Sequence, residues 1–402
     1  MDEPGSGDHN HPVSHRPHRP DRHHRLRELT TLFLRLGATA FGGPAAHLSL
    51  MRHEVVERRG WVTDGEYARL VALANLVPGP SSTEVAMHVG RIRAGRRGLV
   101  VAGVAFLLPA FVMITALAWI YVRYGDLPRF RATLAGIAPV VVVLVVDAVA
   151  RLARTSIRTF THAALGAVAI GASFAGVHVL AILVAAGTVA WLVWRIPQGR
   201  TGGALGLLVV GAVPAFEAVG PALAVAGPVT LGPLFLVFVE IGSVLYGSGY
   251  VLFALLEQVL VHQHHWLGQQ RLLDAISAGQ VTPGPLFTTA TFIGYTLRGF
   301  PGAVVATVGI FLPAFAFVAL TDVVVTRLRD RPGFAVVLDG VVVASLGLMA
   351  AVAVVLGRHA FIDAGTVLIG VGAAGLLWWR RLNPVWLLLG AGAVGLAFVH
   401  LG

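Results

Sequence analysis

The chain has 402 residues, 56% of them hydrophobic and only 12% charged, with a mean hydropathy of +0.77. A soluble domain carries roughly 25% charged residues, so this composition excludes an ordinary soluble globule and points to an all-α polytopic membrane protein. All 30 basic residues are arginine, and the net charge of +10 reads as loop bias in a membrane protein rather than a nucleic-acid footprint. Cysteine is absent, which excludes disulfides and thiolate metal sites.

Residues 1–28 are rich in His, Arg and Pro, without apolar periodicity or a signal-peptide core. A disordered cytoplasmic tail is expected. Its six histidines (His9, His11, His15, His18, His23 and His24) suit weak metal binding. A solvated tail without a metal role is the simpler reading, and no metal site or cofactor is assigned.

From Leu29 the chain becomes apolar but interrupted. The segment Leu29–Val56 is broken at Phe41-Gly42-Gly43-Pro44, and Tyr67–Gly90 is broken at Pro78-Gly79-Pro80. Proline removes a backbone donor and glycine loosens the chain, so both points should break a helix. Four spans are predicted next, near Gly98–Tyr121, Ala132–Ala150, Ala163–Gly176 and Val177–Trp194. Residues 195–230 form a linker in which 203–227 is apolar enough to cross once more, although it carries Glu217 and two prolines.

Residues 231–402 then repeat residues 29–194. At a shift of 205, Phe33 meets Phe238, Trp61 meets Trp266, and Pro78-Gly79-Pro80 meets Pro283-Gly284-Pro285. At 204, Gly95 meets Gly299 and the "LPAF" of Leu108–Phe111 meets that of Leu312–Phe315. A tandem duplication is the simplest account. Arg52, Arg58, Arg59, Arg69, Arg91, Arg93, Arg96 and Arg97 flank the first Pro-Gly-Pro element, against only Arg271 and Arg298 for the second. The first element therefore reads as a re-entrant hairpin with both ends cytoplasmic, and the halves as inverted repeats. With the extra crossing, nine full spans and four interrupted elements are expected; the arginine bias is also satisfied if 203–227 does not cross, which leaves repeats of the same orientation as the alternative.

Unpaired backbone groups in hydrocarbon cost several kcal/mol each, so a broken helix survives only where protein or water surrounds it. In secondary transporters such breaks line the substrate site, with half-helix N-termini aimed at anionic groups. Here Pro78, Gly79 and Pro80 lead into Ser81, Ser82 and Thr83, and Pro283, Gly284 and Pro285 lead into Thr288 and Thr289. Beside them stand the glycine-rich breaks Gly42-Gly43 and Gly247-Ser248-Gly249. Hydroxyls next to a positive helix end suit a small tetrahedral oxyanion; the alternative is a kink made for packing.

Charges in apolar segments extend the list. Arg35 is read as an anion ligand, and Glu240, its repeat partner, as a proton-coupling carboxylate; the alternative is an ion pair between the halves. Glu84 is a second candidate for proton coupling, or else a first-turn carboxylate that stabilises the helix start. Asp147 reads as a boundary residue, and His262–His265 as a solvated loop. No nucleotide-binding or hydrolase motif appears, so neither an enzyme nor an ATP-driven pump is expected.

The stretches "FGGPAAH" (Phe41–His47), "PGPSSTE" (Pro78–Glu84), "FLLPAF" (Phe106–Phe111), "IGSVLYGSGYVL" (Ile241–Leu252) and "LLDAISAGQVTPGPLFTTATFIGY" (Leu272–Tyr295) resemble the chromate ion transporter family in its long, two-domain form. The resemblance runs from Leu29 to the C-terminus. It implies an inner-membrane exporter of chromate driven by the proton motive force, an antiporter that confers resistance, with sulfate as a further ligand. Many members carry a basic residue where Glu240 stands, so the resemblance does not support its proton role, and residues 1–28 have no counterpart. A sulfate carrier and an anion channel or sensor remain alternatives, and a homodimer is a further expectation.

Overall fold

The computed structural model describes residues 22–41, 43–75, 78–195, 229–245, 249–329, 332–380 and 382–401, and all regular structure among them is helical. Most of the tail, the linker crossing at 203–227, and Gly42, Gly247 and Ser248 lie outside the described residues. In the first half α1 covers Arg22–Thr39, α2 Gly43–Arg52, α3 Asp64–Ala74, α4 Ser81–Tyr124, α5 Pro128–Ser156, α6 Phe160–Phe174 and α7 Val179–Arg195. The second half repeats them as α8 Leu231–Val244, α9 Val251–Leu256, α10 Gln269–Val281, α11 Thr289–Arg329, α12 Pro332–Ala360, α13 Ala364–Trp379 and α14 Pro384–Leu401. A widened π turn follows α2 at His53–Arg58 and α9 at Glu257–Gln263. Helix α1 starts at Arg22, so the end of the basic segment is helical rather than part of a disordered tail.

Helix α4 is a hairpin and not one rod. Ala94 (φ −142°, ψ 20°) and Gly95 (φ 67°, ψ −153°) leave helical geometry, and Arg298 and Gly299 do the same in α11 (φ −140°, ψ 21°; φ 64°, ψ −156°). A Cβ on Gly90 would collide with the Gly98 carbonyl oxygen, and one on Gly294 with that of Gly302. Eight residues of continuous helix would separate such positions by about 12 Å. Across the second hairpin, the hydroxyls of Thr291 and Thr307 bond at 2.7 Å. Each Pro-Gly-Pro thus begins a short arm, 81–93 or 289–297, that turns back into a long arm. At the first turn Arg59 and Arg93 stack on Trp61, 5.5 and 5.0 Å from the ring centre, and Arg93 also bonds Glu28 at 2.7 Å.

The halves meet through these hairpins with equivalent helices antiparallel. Gly103 lies against the Phe315 ring at one end, and Phe111 packs on Phe300 (6.3 Å) at the other. Arg91 donates to the Val318 carbonyl at 2.9 Å. Outside this junction α5 packs on α14, and α12, its repeat partner, packs on α7. Small residues let these backbones approach: Gly340 lies against Ala186 and Ala190. Antiparallel equivalents about a shared junction are the geometry of an inverted repeat.

Among the described residues, four helical segments are long and apolar enough to cross a membrane, two of them containing the hairpins: Ser81–Tyr124, Pro128–Ser156, Leu286–Leu320 and Gly333–Ala360. The spans expected near 163–176 and 177–194 are shorter helices, α6 and α7, with Gly176 (φ 80°) in the turn between them. At 1.5 Å per residue the 15 residues of α6 reach only about 22 Å. Apolar side chains such as Leu368, Trp379 and Trp386 are exposed on the exterior, as a lipid-facing surface requires.

Gly95 and Gly299 hold a backbone region that is open essentially to glycine alone. Gly95→Val or Gly299→Val should destabilise the protein by about 1–3 kcal/mol, read as a lowered thermal midpoint in detergent. Gly65→Ala, at an open position in α3, should leave the midpoint in place. Unchanged midpoints for both valine variants would contradict the hairpins.

Candidate functional site

Proline at 78, 80, 283 and 285 prevents the chain from continuing a helix, and the glycine between each pair takes a positive φ, 146° at Gly79 and 101° at Gly284. The freed amides find partners across the molecule. Gly79 N–H donates to the Leu245 carbonyl at 2.8 Å, and Gly284 N–H donates to the Ala40 carbonyl at 3.1 Å. Ala40 and Leu245 end α1 and α8. Each Pro-Gly-Pro therefore closes the first break of the opposite half. The "LPAF" alanines complete the packing: a Cβ on Gly284 would stand 2.5 Å from Ala110 Cβ, and one on Gly79 3.1 Å from Ala314 Cβ.

Both short arms begin at this junction. Pro80 O accepts from Thr83 N–H (2.8 Å) and Glu84 N–H (3.1 Å), while the amides of Ser81 and Ser82 precede any acceptor inside the helix. On the other side Thr288 spends both its N–H (3.0 Å) and its hydroxyl (2.9 Å) on Pro285 O. Ser82 is also committed. His47 Nε2 lies 3.0 Å from Ala40 O and Nδ1 3.3 Å from Ser82 Oγ. A carbonyl only accepts, so His47 carries its proton on Nε2 and the Ser82 hydroxyl donates to Nδ1.

What remains uncommitted is the polar content of the site. Thr83 Oγ1, both Glu84 carboxyl oxygens and Thr289 Oγ1 are buried without a hydrogen-bond partner among the described residues. Glu84 is 0% exposed, and its Oε1 occupies the space a Cβ on Gly79 would take. Tyr250 is half-buried, bonds Gln280, and brings its hydroxyl 3.8 Å from the Cβ position of Gly43. Gly249 lies against Leu286 and Phe287. His47 and Tyr250 were not singled out from the sequence; His47 stands in the "FGGPAAH" stretch, where a lone imidazole among apolar residues was the available signal.

Arg35 and Glu240 do not meet. Arg35 is 48% exposed and pairs with Glu54, which also holds Arg58 (3.0 Å) and Arg59. An ion pair between the halves at these positions is therefore excluded by geometry. Glu240 is half-buried on α8 and has no ion-pair partner among the described residues. Asp147 is no boundary residue: it is buried within α5, bonded to Arg151 and to Trp378 Nε1 (3.1 Å). His262 bonds Glu257 at 2.7 Å and His264 stacks on Trp266, so the His cluster closes the second π turn, while His262 and His265 stay exposed as in a solvated loop. No group of three metal-ligating side chains occurs among the described residues.

The buried Glu54 carboxylate depends on its three guanidinium partners. Glu54→Gln should lower stability by about 1–3 kcal/mol. Arg35→Glu combined with Glu54→Arg should recover part of the loss, whereas Arg35→Glu with Glu240→Arg should not. A double-mutant cycle on thermal unfolding separates the two pairings, and coupling between 35 and 240 alone would contradict the assignment.

A family profile described as chromate transporter matches residues 27–191 and 232–396, one match per half. A chromate transport protein of Cupriavidus metallidurans is 32% identical over 92% of this chain and 92% of its own length. One of Pseudomonas aeruginosa is 30% identical over 92% and 91%. An uncharacterized transporter of Methanocaldococcus jannaschii is 27% identical over 80% and 82%. No solved structure matches. With both halves matched and the reciprocal junction built from the shared segments, the chain belongs to the chromate transporter family.

Proposed function

We propose that this protein exports chromate across the inner membrane at the expense of the proton motive force, and so confers chromate resistance. The observation that carries this is the junction: each Pro-Gly-Pro that opens a short arm is hydrogen-bonded to the end of the opposite half's first helix, and both arms begin with buried oxygens without partners among the described residues. The oxyanion lies between the two starts. It accepts from the amides of Ser81 and Ser82, from those of Leu286 and Phe287, and from the free hydroxyls of Thr83 and Thr289. Partial positive charge at both helix ends favours a dianion there. Ser82 and Thr288 act as supports, since their hydroxyls are already committed. Gly43 and Gly249 line the approaches. Glu84 is the proton carrier. Arg35, tied to Glu54, serves capture at the cytoplasmic mouth, and Glu240 takes a lesser role in proton transfer from its half-buried place.

Sulfate shares the charge and shape of chromate and is proposed as a competitor. The arginine-rich end of the first hairpin, with the N-terminal segment, is assigned to the cytoplasm on charge bias. The protein works as a carrier and not as an enzyme; a homodimer of such carriers is part of the proposal.

The test is chromate uptake into inside-out vesicles, energised and then uncoupled, with excess sulfate as competitor. Uptake should depend on energisation and fall with sulfate. Gly284→Ala places a methyl group 2.5 Å from Ala110 Cβ at a positive φ, and Gly79→Ala displaces the Glu84 carboxyl. A strain of about 1–3 kcal/mol at each site should reduce uptake roughly tenfold or more while membrane insertion persists. Normal uptake by both variants would refute the site.

A further inference from the structure

We infer that the loaded carrier holds the oxyanion and one proton together, the proton on Glu84, so that both cross the membrane in the same direction. This rests on the junction being the anion seat. The argument starts from an asymmetry. Glu84 and Thr289 are equivalent positions in the two halves, and both are fully buried with unpartnered side-chain oxygens. Only the first half places an ionisable group there.

The charged groups on the surrounding elements are committed elsewhere. Arg35, Arg58 and Arg59 hold Glu54; Arg52 holds Glu57 and Asp64; Arg93 holds Glu28. Asp274 on α10 is bonded to Tyr121 and Gln270. His47 faces Ser82 and Ala40 from α2, Tyr250 is bonded to Gln280, and His88 sits one turn further along the same arm. None of these groups neutralises Glu84. An ionised carboxylate and a bound dianion would then share one apolar space, where like charges repel strongly. A proton on Glu84 removes the conflict and also supplies a donor to the anion. By reciprocity, the proton tightens anion binding by the same factor as the anion tightens proton binding. An exchanger needs the opposite sign, in which proton and anion exclude each other.

A dianion moving with one proton carries a single net negative charge. Export is therefore driven by the inside-negative potential and opposed by the inward pH gradient. In energised inside-out vesicles, an electroneutral proton/potassium exchanger removes the pH gradient and leaves the potential. Chromate uptake should then rise; a fall or no change overturns cotransport. Chromate binding by the purified protein provides a second measurement, taken in the alkaline range where the free anion is fully ionised. Wild-type affinity should weaken by up to about tenfold per pH unit once Glu84 ionises. Glu84→Gln should bind with an affinity that no longer varies with pH. A flat wild-type profile, or a Gln variant that still weakens with pH, overturns the inference. Gly284→Ala separates the two levels: normal chromate binding by this variant moves the anion out of the junction and sinks the site and the coupling together, whereas lost binding beside a flat wild-type profile sinks the coupling alone.

Discussion

The structure depends on the need to satisfy backbone amides inside an apolar molecule. Each break in a helix frees groups that water cannot reach, and an unmade bond costs about 1–3 kcal/mol even in an ordinary protein interior and more in hydrocarbon. Gly79 and Gly284 meet that need across the molecule, through Leu245 and Ala40. Neither half can close its own breaks. The duplication is thus more than a doubling of helices, because each copy supplies the acceptor that the other copy's Pro-Gly-Pro requires. The alanines of the two "LPAF" stretches follow from the same demand, since a larger residue at Ala110 or Ala314 would push the opposite glycine away.

A symmetric backbone carries unequal side chains. Glu84 answers to Thr289, His47 to Leu252, Ser82 to Phe287 and Arg35 to Glu240. The hydrogen bonds that define the scaffold use main-chain atoms and survive such divergence. The polar side chains are free to differ, and they gather in the first half of the junction. His47 shows how: its Nε2–H reaches the Ala40 carbonyl that already accepts from Gly284, and its Nδ1 orients Ser82. One ring therefore ties the end of α1, the start of α4 and the second-half tripeptide together, where Leu252 offers only apolar contact.

The repeat, the breaks and the helical class were legible because they rest on glycine and proline, whose backbone consequences are local. The inversion was legible as an imbalance of arginine, and the antiparallel hairpins give it a geometric form. The tight turns at Ala94–Gly95 and Arg298–Gly299 were not read as turns, although both glycines were matched between the halves. A single glycine beside an arginine in a helical pattern looks like a tolerated interruption, and the backbone angles at the turn and the close approach of Gly90 to Gly98 reveal the reversal. The length of α6 was overestimated because apolar character continues through the turn at Gly176, where backbone geometry and not hydropathy ends the helix.

The site was legible in its backbone and not in its pairings. Pro-Gly-Pro announced the helix starts, but which hydroxyls stay free depends on neighbours distant in sequence: Ser82 is taken by His47, 35 residues away. Arg35 pairs with Glu54, which lies in the π turn at His53–Arg58, 19 residues further along the chain. Charge symmetry between Arg35 and Glu240 suggested a pair, yet positions equivalent under an inverting two-fold meet only if they lie on the axis. The Pro-Gly-Pro glycines instead reach across to the opposite half, as their bonds to Leu245 and Ala40 show. Arg35, exposed and held by its own half, lies off it, and the chemistry of the junction falls to the groups that the axis brings together.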